Sequence, residues 1–368
     1  MSTRRVVGCM TGSSLDGLDV ALVTIEGRGL AMRARFVRGR STPLGSVGPL
    51  LRRLAEQRAM TAREVCAVQR DFAMLHARAI EALLDGESCD LVCVHGQTVF
   101  HEPPLSWQVM QPAPIAHALG VPVVYDLRQA DLAAGGQGAP ITPLADWVLF
   151  RDATSPVSVI NLGGFCNITN LPAGGDEAID RIEAMDVCAC NQLLDAIARA
   201  RLGCGYDADG ATAMNGAIVP RVYDDAKRLL VRQAESGRSL GTGDELAAWM
   251  DAHADVASED LLRSACEAIA EVIIRRGVAL DSRRVLLAGG GTMNRALIAA
   301  IRERAQGRTA STTDEAGVPA AYREAACFAV LGSLCQDGVP ITLPHVTRCT
   351  NPAPVSGVWV YPSRERPA

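Results

Sequence analysis

Aromatic residues make up only 4% of this 368-residue chain, which leaves no stacking platform for nucleic-acid bases. Nor is there a basic stripe: the formal net charge is −5, without the clustered Lys and Arg that a phosphate-backbone partner requires. No apolar run reaches bilayer length. The opening Met1-Ser2-Thr3-Arg4-Arg5 is followed by too short an apolar run before Gly12 for a signal peptide. The expectation is a cytoplasmic protein with neither a membrane nor a nucleic acid as partner. Cys-x-x-Cys knuckles are missing too: the twelve cysteines are scattered, which argues against a structural metal or a disulfide framework and for buried, reduced thiols. His95 and His101 lie at a spacing with no helical logic for a metal pair, so neither is read as a ligand, and His95 is expected to be a buried, satisfied histidine.

What is present is an ordinary globular composition, 48% hydrophobic and 21% charged, long enough for two lobes with separate cores. Strand-like and helix-like segments alternate as α/β proteins require. Arg4–Cys9 and Asp19–Ile25 read as strands. Ala62–Leu84 reads as a helix burying Val65, Val68, Phe72, Leu75, Ile80 and Leu83. Asp90–Val94 and Val121–Tyr125 are buried strands that deliver His95, Gln97, Asp126 and Arg128 at their carboxyl ends, where open α/β sheets bind ligands. Pro156–Leu162 opens a second block, with helices over Cys190–Leu202 and Leu261–Arg276 and a short strand at Val285–Ala288. No low-complexity linker divides the two. The boundary is placed in the Ala139–Pro156 region, giving lobes 1–145 and 146–368.

The turn between the first two strands is rich in chemistry. Gly12 and Gly17 permit tight geometry and close approach to a ligand, and Thr11, Ser13 and Ser14 can donate to phosphate oxygens. A carboxylate does not attract a phosphate, so Asp16 or Asp19 beside one implies an intervening cation such as Mg²⁺. The alternative is a hairpin whose Asp and Ser residues only make turns.

This segment resembles the first phosphate loop of the actin, hexokinase and chaperone ATPase superfamily, and more closely the opening of the anhydro-N-acetylmuramic acid kinases. The resemblance continues in order through His95-Gly96-Gln97-Thr98, the run Pro122 to Pro140, Asn161-Leu162-Gly163-Gly164-Phe165-Cys166-Asn167-Ile168-Thr169 and Ala288-Gly289-Gly290-Gly291-Thr292-Met293-Asn294. It implies a two-lobed actin-like ATPase (ribonuclease H-like) α/β fold with an active-site cleft between the lobes, a final helix crossing back to the first lobe with about the last twenty residues, and a homodimer. It also implies an ATP- and Mg²⁺-dependent kinase. The enzyme would hydrolytically open 1,6-anhydro-N-acetylmuramic acid and phosphorylate its 6-oxygen, as part of peptidoglycan recycling.

Residue by residue, the resemblance assigns Gly12, Ser13, Ser14, Leu15, Asp16, Gly17, Leu18 and Asp19 to the first nucleotide cradle, with Asp16 and Asp19 toward the metal. Gly163, Gly164 and Asn167 match the second phosphate loop, and Gly289, Gly290, Gly291 and Asn294 the adenosine loop. Each later glycine cluster also reads as a plain strand-to-helix turn. Gln97, Thr98 and Arg128 can bind sugar hydroxyls and carbonyls, and Arg128 can pair with a lactyl carboxylate; the competing reading is an internal salt bridge from Arg128 to Asp126 or Asp131. Glu324 matches the family's helix-borne glutamate, and otherwise reads as a carboxylate favoured by a helix dipole. Asp207 and Asp209 also match the family.

Asp186 matches the catalytic base, though a helix N-cap is its competing reading. Here the chain departs from the family's Asp-Thr-Gly-Pro-Gly-Asn: it reads Asp186-Val187-Cys188-Ala189-Cys190-Asn191. If the lost glycines stand at positive φ, their replacements strain the loop; if not, the loop survives with different contacts. That departure keeps two alternatives in view, a kinase for another anhydrosugar or a hexose, and a nucleotide- or sugar-binding regulator without turnover.

Overall fold

A computed structural model describes residues 3–12, 14–236 and 244–362. The chain divides into two compact units: residues 1–151, 175–180 and 322–368 form the first, and 152–174 with 181–321 the second. The division between the units lies at 151/152, inside the Ala139–Pro156 region. The return to the first unit starts at Tyr322, well before the last twenty residues.

The first unit begins with three antiparallel strands, β1 (Thr3–Thr11), β2 (Leu18–Glu26) and β3 (Arg33–Thr42). The helix Ala62–Leu84 follows, at the expected bounds. Its start is fixed by a capping box, in which Thr61 and Glu64 satisfy each other's backbone N–H groups. The chain then runs through β4 (Leu91–Val94), a hairpin of β5 (Gln97–Glu102) and β6 (Leu105–Val109), and β7 (Val123–Tyr125). Strand β4 pairs in parallel with β1, and β7 in parallel with β4.

The second unit repeats this plan. Strands β8 (Val157–Leu162), β9 (Phe165–Leu171) and β10 (Glu183–Ala189) are antiparallel. Then β11 (Arg284–Ala288) pairs in parallel with β8, and β12 (Thr309–Thr312) with β11. A last strand, β13 (Val358–Val360), joins the first sheet beside β7. The strand orders are β13-β7-β4-β1-β2-β3 and β12-β11-β8-β9-β10. Both sheets thus contain three antiparallel strands whose first member pairs in parallel with a fourth, and that with a fifth. This duplicated arrangement is the ribonuclease H-like, actin-type fold implied by the sequence.

Packing within each unit positions the loops. In the first, helix Arg323–Gln336 lies so close on β1 that a Cβ at Gly8 would stand 2.0 Å from the Ala325 carbonyl oxygen. Arg4 of β1 makes a two-pronged pair with Asp337 just past that helix, both contacts at 2.8 Å. In the second unit, helices Asn191–Leu202, Ser258–Val272 and Arg295–Arg304 enclose an apolar core that includes Leu194, Leu262, Ile269, Leu287 and Leu297. All twelve cysteines are free, and only Cys66 and Cys204 are exposed. Among the described residues no helix is long and apolar enough to cross a membrane.

Candidate active site

In the first unit, Gly12 and residues 14–17 belong to the β1–β2 turn, closed by a hydrogen bond from Leu15 N–H to the Gly12 carbonyl (3.2 Å). Leu15 adopts a left-handed φ of 59° and is buried in the core, as is Leu18, so these two serve the loop through backbone and packing. Ser13 lies outside the described residues. Ser14 is tied through its carbonyl to Arg52 (3.1 Å). Asp16 is exposed, while Asp19 is partly buried opposite Met10 and Ser41. Ser41 donates to Asp19 Oδ1 at 2.5 Å. Desolvation nonetheless lifts the Asp19 carboxyl above the usual range; the Ser41 bond opposes the rise and Asp16 adds to it. The charge of Asp16 reaches Asp19, and carboxylates together with water and phosphate oxygens are the ligands that Mg²⁺ takes. Among the described residues no group of three or more His, Cys, Asp or Glu could hold a metal by itself.

The carboxyl ends of β4 and β7 meet in a second cluster of the same unit. His95 is buried, and its Nδ1 lies 2.9 Å from the Gly96 carbonyl, so Nδ1 carries the proton and Nε2 is the acceptor. Arg128 donates to that Nε2 and, through Nη1, to the Gly138 carbonyl (2.5 Å). Burial, then the Arg128 charge, holds the His95 imidazole well below its ordinary pKa. His95 is therefore satisfied and neutral, as expected, but it also carries Arg128. Among the described residues no carboxylate stands within salt-bridge distance of Arg128, so the internal pair with Asp126 or Asp131 does not form. Asp131 is engaged instead by Gly138 N–H and the Thr347 hydroxyl, each at 2.7 Å. Burial brings Arg128 down to about 10, against the pull of Glu324 and Asp131. Gln97 is fully buried, and its Oε1 has no partner among the described residues, whereas Thr98 accepts from Gln108 (3.3 Å).

Glu324 sits in the first turn of helix Arg323–Gln336, so the dipole favours its charge. Desolvation outweighs this and raises its carboxyl; Arg323 and Arg128 pull it down, while Asp19 and Asp146 push it further up. Arg323, its neighbour, forms a buried two-pronged ion pair with Asp146, with Nε to Oδ1 at 2.8 Å and Nη2 to Oδ2 closer still. That pair was not foreseen, since nothing in the spacing of Asp146 and Arg323 joins them.

The glycine motifs of the second unit converge. Gly163 and Gly164 form the β8–β9 turn, and their carbonyls accept from the amides of Cys190, Asn191 and Gln192 at 2.9–3.1 Å. The first amides of helix Asn191–Leu202 are therefore used internally, and Asp186 is not its N-cap. Gly164 is exposed, with ordinary φ and open space where a Cβ would stand, so nothing in the fold itself requires glycine there. Gly289, at φ 83°, packs against the turn: a Cβ on it would lie 2.7 Å from Asn161 Oδ1 and 2.9 Å from the Leu162 carbonyl. Asn191 touches the same place, donating to Leu162 O (3.1 Å), with Gly290 and Gly291 alongside. Asn294 turns elsewhere: its Oδ1 caps helix Arg295–Arg304 through Leu297 N–H (3.0 Å) and abuts Gly210. Asp207 likewise caps the turn at Thr212 and Ala213.

Asp186 stands on the sheet-edge strand β10, directly across from Asn167, which in turn faces Asn161. Its side chain is exposed on the strand, yet the surrounding protein raises its carboxyl above the usual value by desolvation. The altered stretch after it is not a glycine-type loop. Val187–Ala189 continue the strand as buried residues past a bulge between Asp186 and Cys188, and none of residues 187–190 has positive φ. The replacements thus fit without left-handed strain, and burial pushes the Cys188 thiol up to about 12, leaving it inert. Asn161, not singled out in the sequence, is buried, and its Oδ1 has no hydrogen-bond partner among the described residues. Its place at the carboxyl end of a buried strand was the available signal.

Residues 4–362 match the family model described as anhydro-N-acetylmuramic acid kinase. Curated relatives of that description include proteins from Acidiphilium cryptum (34% identical over 371 residues, 96% of this chain and 97% of the relative) and Rhizobium etli (33% over 374, 96% and 97%). Another is from Salinibacter ruber (32% over 389, 98% and 97%). With the match spanning both units, the chain belongs to the anhydro-N-acetylmuramic acid kinase family.

Proposed function

We propose that this protein uses ATP to convert 1,6-anhydro-N-acetylmuramic acid and water into N-acetylmuramic acid 6-phosphate and ADP, in the cytoplasmic recycling of peptidoglycan. The observation that carries the reading is the match over residues 4–362, which takes in both units and every motif named above.

In this reading the first unit supplies the sugar-binding groups. Arg128, carried by His95 and without an internal carboxylate, pairs with the lactyl carboxylate, and Gln97 Oε1 accepts from a hydroxyl or amide. The second unit supplies the base. A carboxylate of raised pKa is a better proton acceptor, and Asp186 takes a proton from water as the water oxygen bonds to the anomeric carbon. The bond from that carbon to the 6-oxygen breaks, and the freed 6-oxygen takes the γ-phosphoryl group of ATP, with ADP leaving. Glu324, also raised, is the second acid–base group, next to the Arg128 charge. A Mg²⁺ ion, held by Asp16 and Asp19 together with phosphate oxygens, would neutralise charge on the triphosphate. The Asn161 Oδ1, which has no hydrogen-bond partner among the described residues, supports a polar ligand beside the glycine turns.

The test is ADP release from MgATP with 1,6-anhydro-N-acetylmuramic acid, followed by mass analysis of the sugar. A product carrying one added water and one phosphoryl group is expected. ATP binding without sugar-dependent ADP release would overturn the reading.

A further inference from the structure

Arg128 is supported from two sides, by His95 Nε2 and by the Gly138 carbonyl (2.5 Å). The second support belongs to a loop, so its placement depends on whatever holds Gly138. That residue stands at φ 66°, where a Cβ would come within 3.0 Å of Leu132 Cγ. Its carbonyl goes to Arg128 and its N–H to Asp131 Oδ2 (2.7 Å). The other carboxylate oxygen, Oδ1, accepts from the Thr347 hydroxyl (2.7 Å). Asp131 and Thr347 are both fully buried.

A carboxylate taken out of water is costly, the more so when its oxygens are held, as here, by neutral donors. The backbone path of the loop does not need it. Gly136 N–H bonds to the Asp131 carbonyl (2.8 Å), Gln137 N–H to the Thr347 carbonyl (2.8 Å) and Thr350 N–H to the Ala134 carbonyl (3.0 Å). These three bonds fix the loop and tie it to the segment around Thr347 without using the Asp131 side chain. What that side chain adds is a hold on Gly138, the residue that touches the Arg128 guanidinium. It also adds a negative charge that favours the protonated guanidinium against its burial.

We infer that Asp131, itself clamped by Thr347, is a positioning residue that acts through Gly138 to hold Arg128 where it pairs with a lactyl carboxylate, and so sets the preference for an acidic sugar. The inference rests on the sugar-binding role given to Arg128 above and assigns a task to two buried side chains that this role leaves unused.

The test uses the full-length protein and two probes, 1,6-anhydro-N-acetylmuramic acid and its lactyl carboxamide, which keeps the ring and loses the charge. Affinities for both are measured calorimetrically, beside the KM for ATP and thermal melts. Wild-type protein is expected to prefer the acid. Asp131→Ala should cut that preference about tenfold, the worth of one charge-assisted hydrogen bond, and leave the KM for ATP unchanged. A folded Asp131→Ala protein that keeps the full preference, even with a lowered melt, shows a side chain that serves the fold alone and overturns the inference. Where the alanine variant fails to fold, Thr347→Val decides. It removes only the clamping hydroxyl and should cut the preference about threefold, while Thr347→Ser restores it. Valine and serine variants with equal preference overturn the inference. Wild-type protein that binds the acid and the carboxamide equally well overturns the reading of Arg128 as well, whereas a wild-type preference that survives in the variants overturns only the role of Asp131.

Discussion

His95 Nε2 lies 3.0 Å from Arg128 Nη2 and 3.1 Å from Arg128 Nε, so one neutral imidazole holds one guanidinium by its side. Because Nδ1 is committed to the Gly96 carbonyl, the ring has only one orientation in which it can do this. His95→Leu should free Arg128 to swing away and raise the KM for the anhydrosugar about tenfold, the cost of one charge-assisted hydrogen bond. The KM for ATP should be unaffected, and steady-state kinetics with each substrate varied separately would check it. An equal rise in both would point to general disorder in place of a lost sugar contact.

A second histidine sets an acid limit on stability. His76 is buried in helix Ala62–Leu84 with Nδ1 bonded to Phe72 O (2.8 Å), and its Nε2 has no partner among the described residues. Burial lowers it to about 4. With the folded pKa below the unfolded value near 6.5, the unfolded chain binds more protons as pH falls. Stability from this group is full above about 6.5 and is lost progressively down to about 4, by up to about 3 kcal/mol. Urea melts at pH 7 and pH 4.5 should show a smaller loss in His76→Leu than in the parent.

The buried pair of Asp146 and Arg323 predicts an asymmetric cost. Asp146→Ala leaves the Arg323 guanidinium charged and uncompensated in the core, which typically costs about 3–5 kcal/mol. Removing both charges together, as Asp146→Ala with Arg323→Met, should recover much of that loss in denaturant midpoints. Kinase activity would fall in the single variant through Glu324, which shares the helix turn with Arg323.

Legibility in the sequence followed the strength of the local signal. Helix Ala62–Leu84 was readable because its apolar spacing coincides with a capping box, and β4, β7 and β8 because they are buried apolar runs. Strand β3 was not, because as an edge strand it alternates only between exposed and partly buried side chains. The hairpin β5–β6 and the pair β9–β10 carry Asn, Gln, His and Asp at positions that turn and loop segments also favour. At the candidate site the motifs located the loops but not the work of each side chain. Leu15 and Leu18 are core residues, Asn294 caps a helix, and the contact of His95 with Arg128 joins residues that sequence distance keeps apart.

Asp186 should behave as a base with a carboxylate pKa above the usual range. Asp186→Asn is expected to leave ATP binding intact and to abolish turnover. Catalysis by proton transfer and its coupled water attack would be lost, on the order of 10²–10⁴-fold or more. In the parent, the acid limb of the kcat/KM profile for the sugar should lie higher than an unperturbed Asp would give, because desolvation disfavours the charged form. A profile flat through the region in which a raised carboxyl titrates, or retained turnover in the asparagine variant, would remove Asp186 from the role.

Gly164 and Gly289 separate a glycine kept for a ligand from one kept for the fold. At Gly164 a methyl group meets open space and φ is ordinary, so Gly164→Ala should change stability by no more than about 0.5–1 kcal/mol, in the stabilising direction. The same methyl group would occupy the space left beside the turn and weaken MgATP binding. Gly289→Ala places a Cβ 2.7 Å from Asn161 Oδ1 at a φ of 83°, so it should destabilise the ligand-free chain by more than about 1 kcal/mol. Melts and MgATP titrations on both variants distinguish the cases. Weaker binding without loss of stability at Gly164, set against loss of stability at Gly289, is the pattern expected of a turn whose outer face meets a phosphate and whose inner face packs on its neighbour. The opposite pattern would mean that the glycine pair at β8–β9 serves only its own backbone.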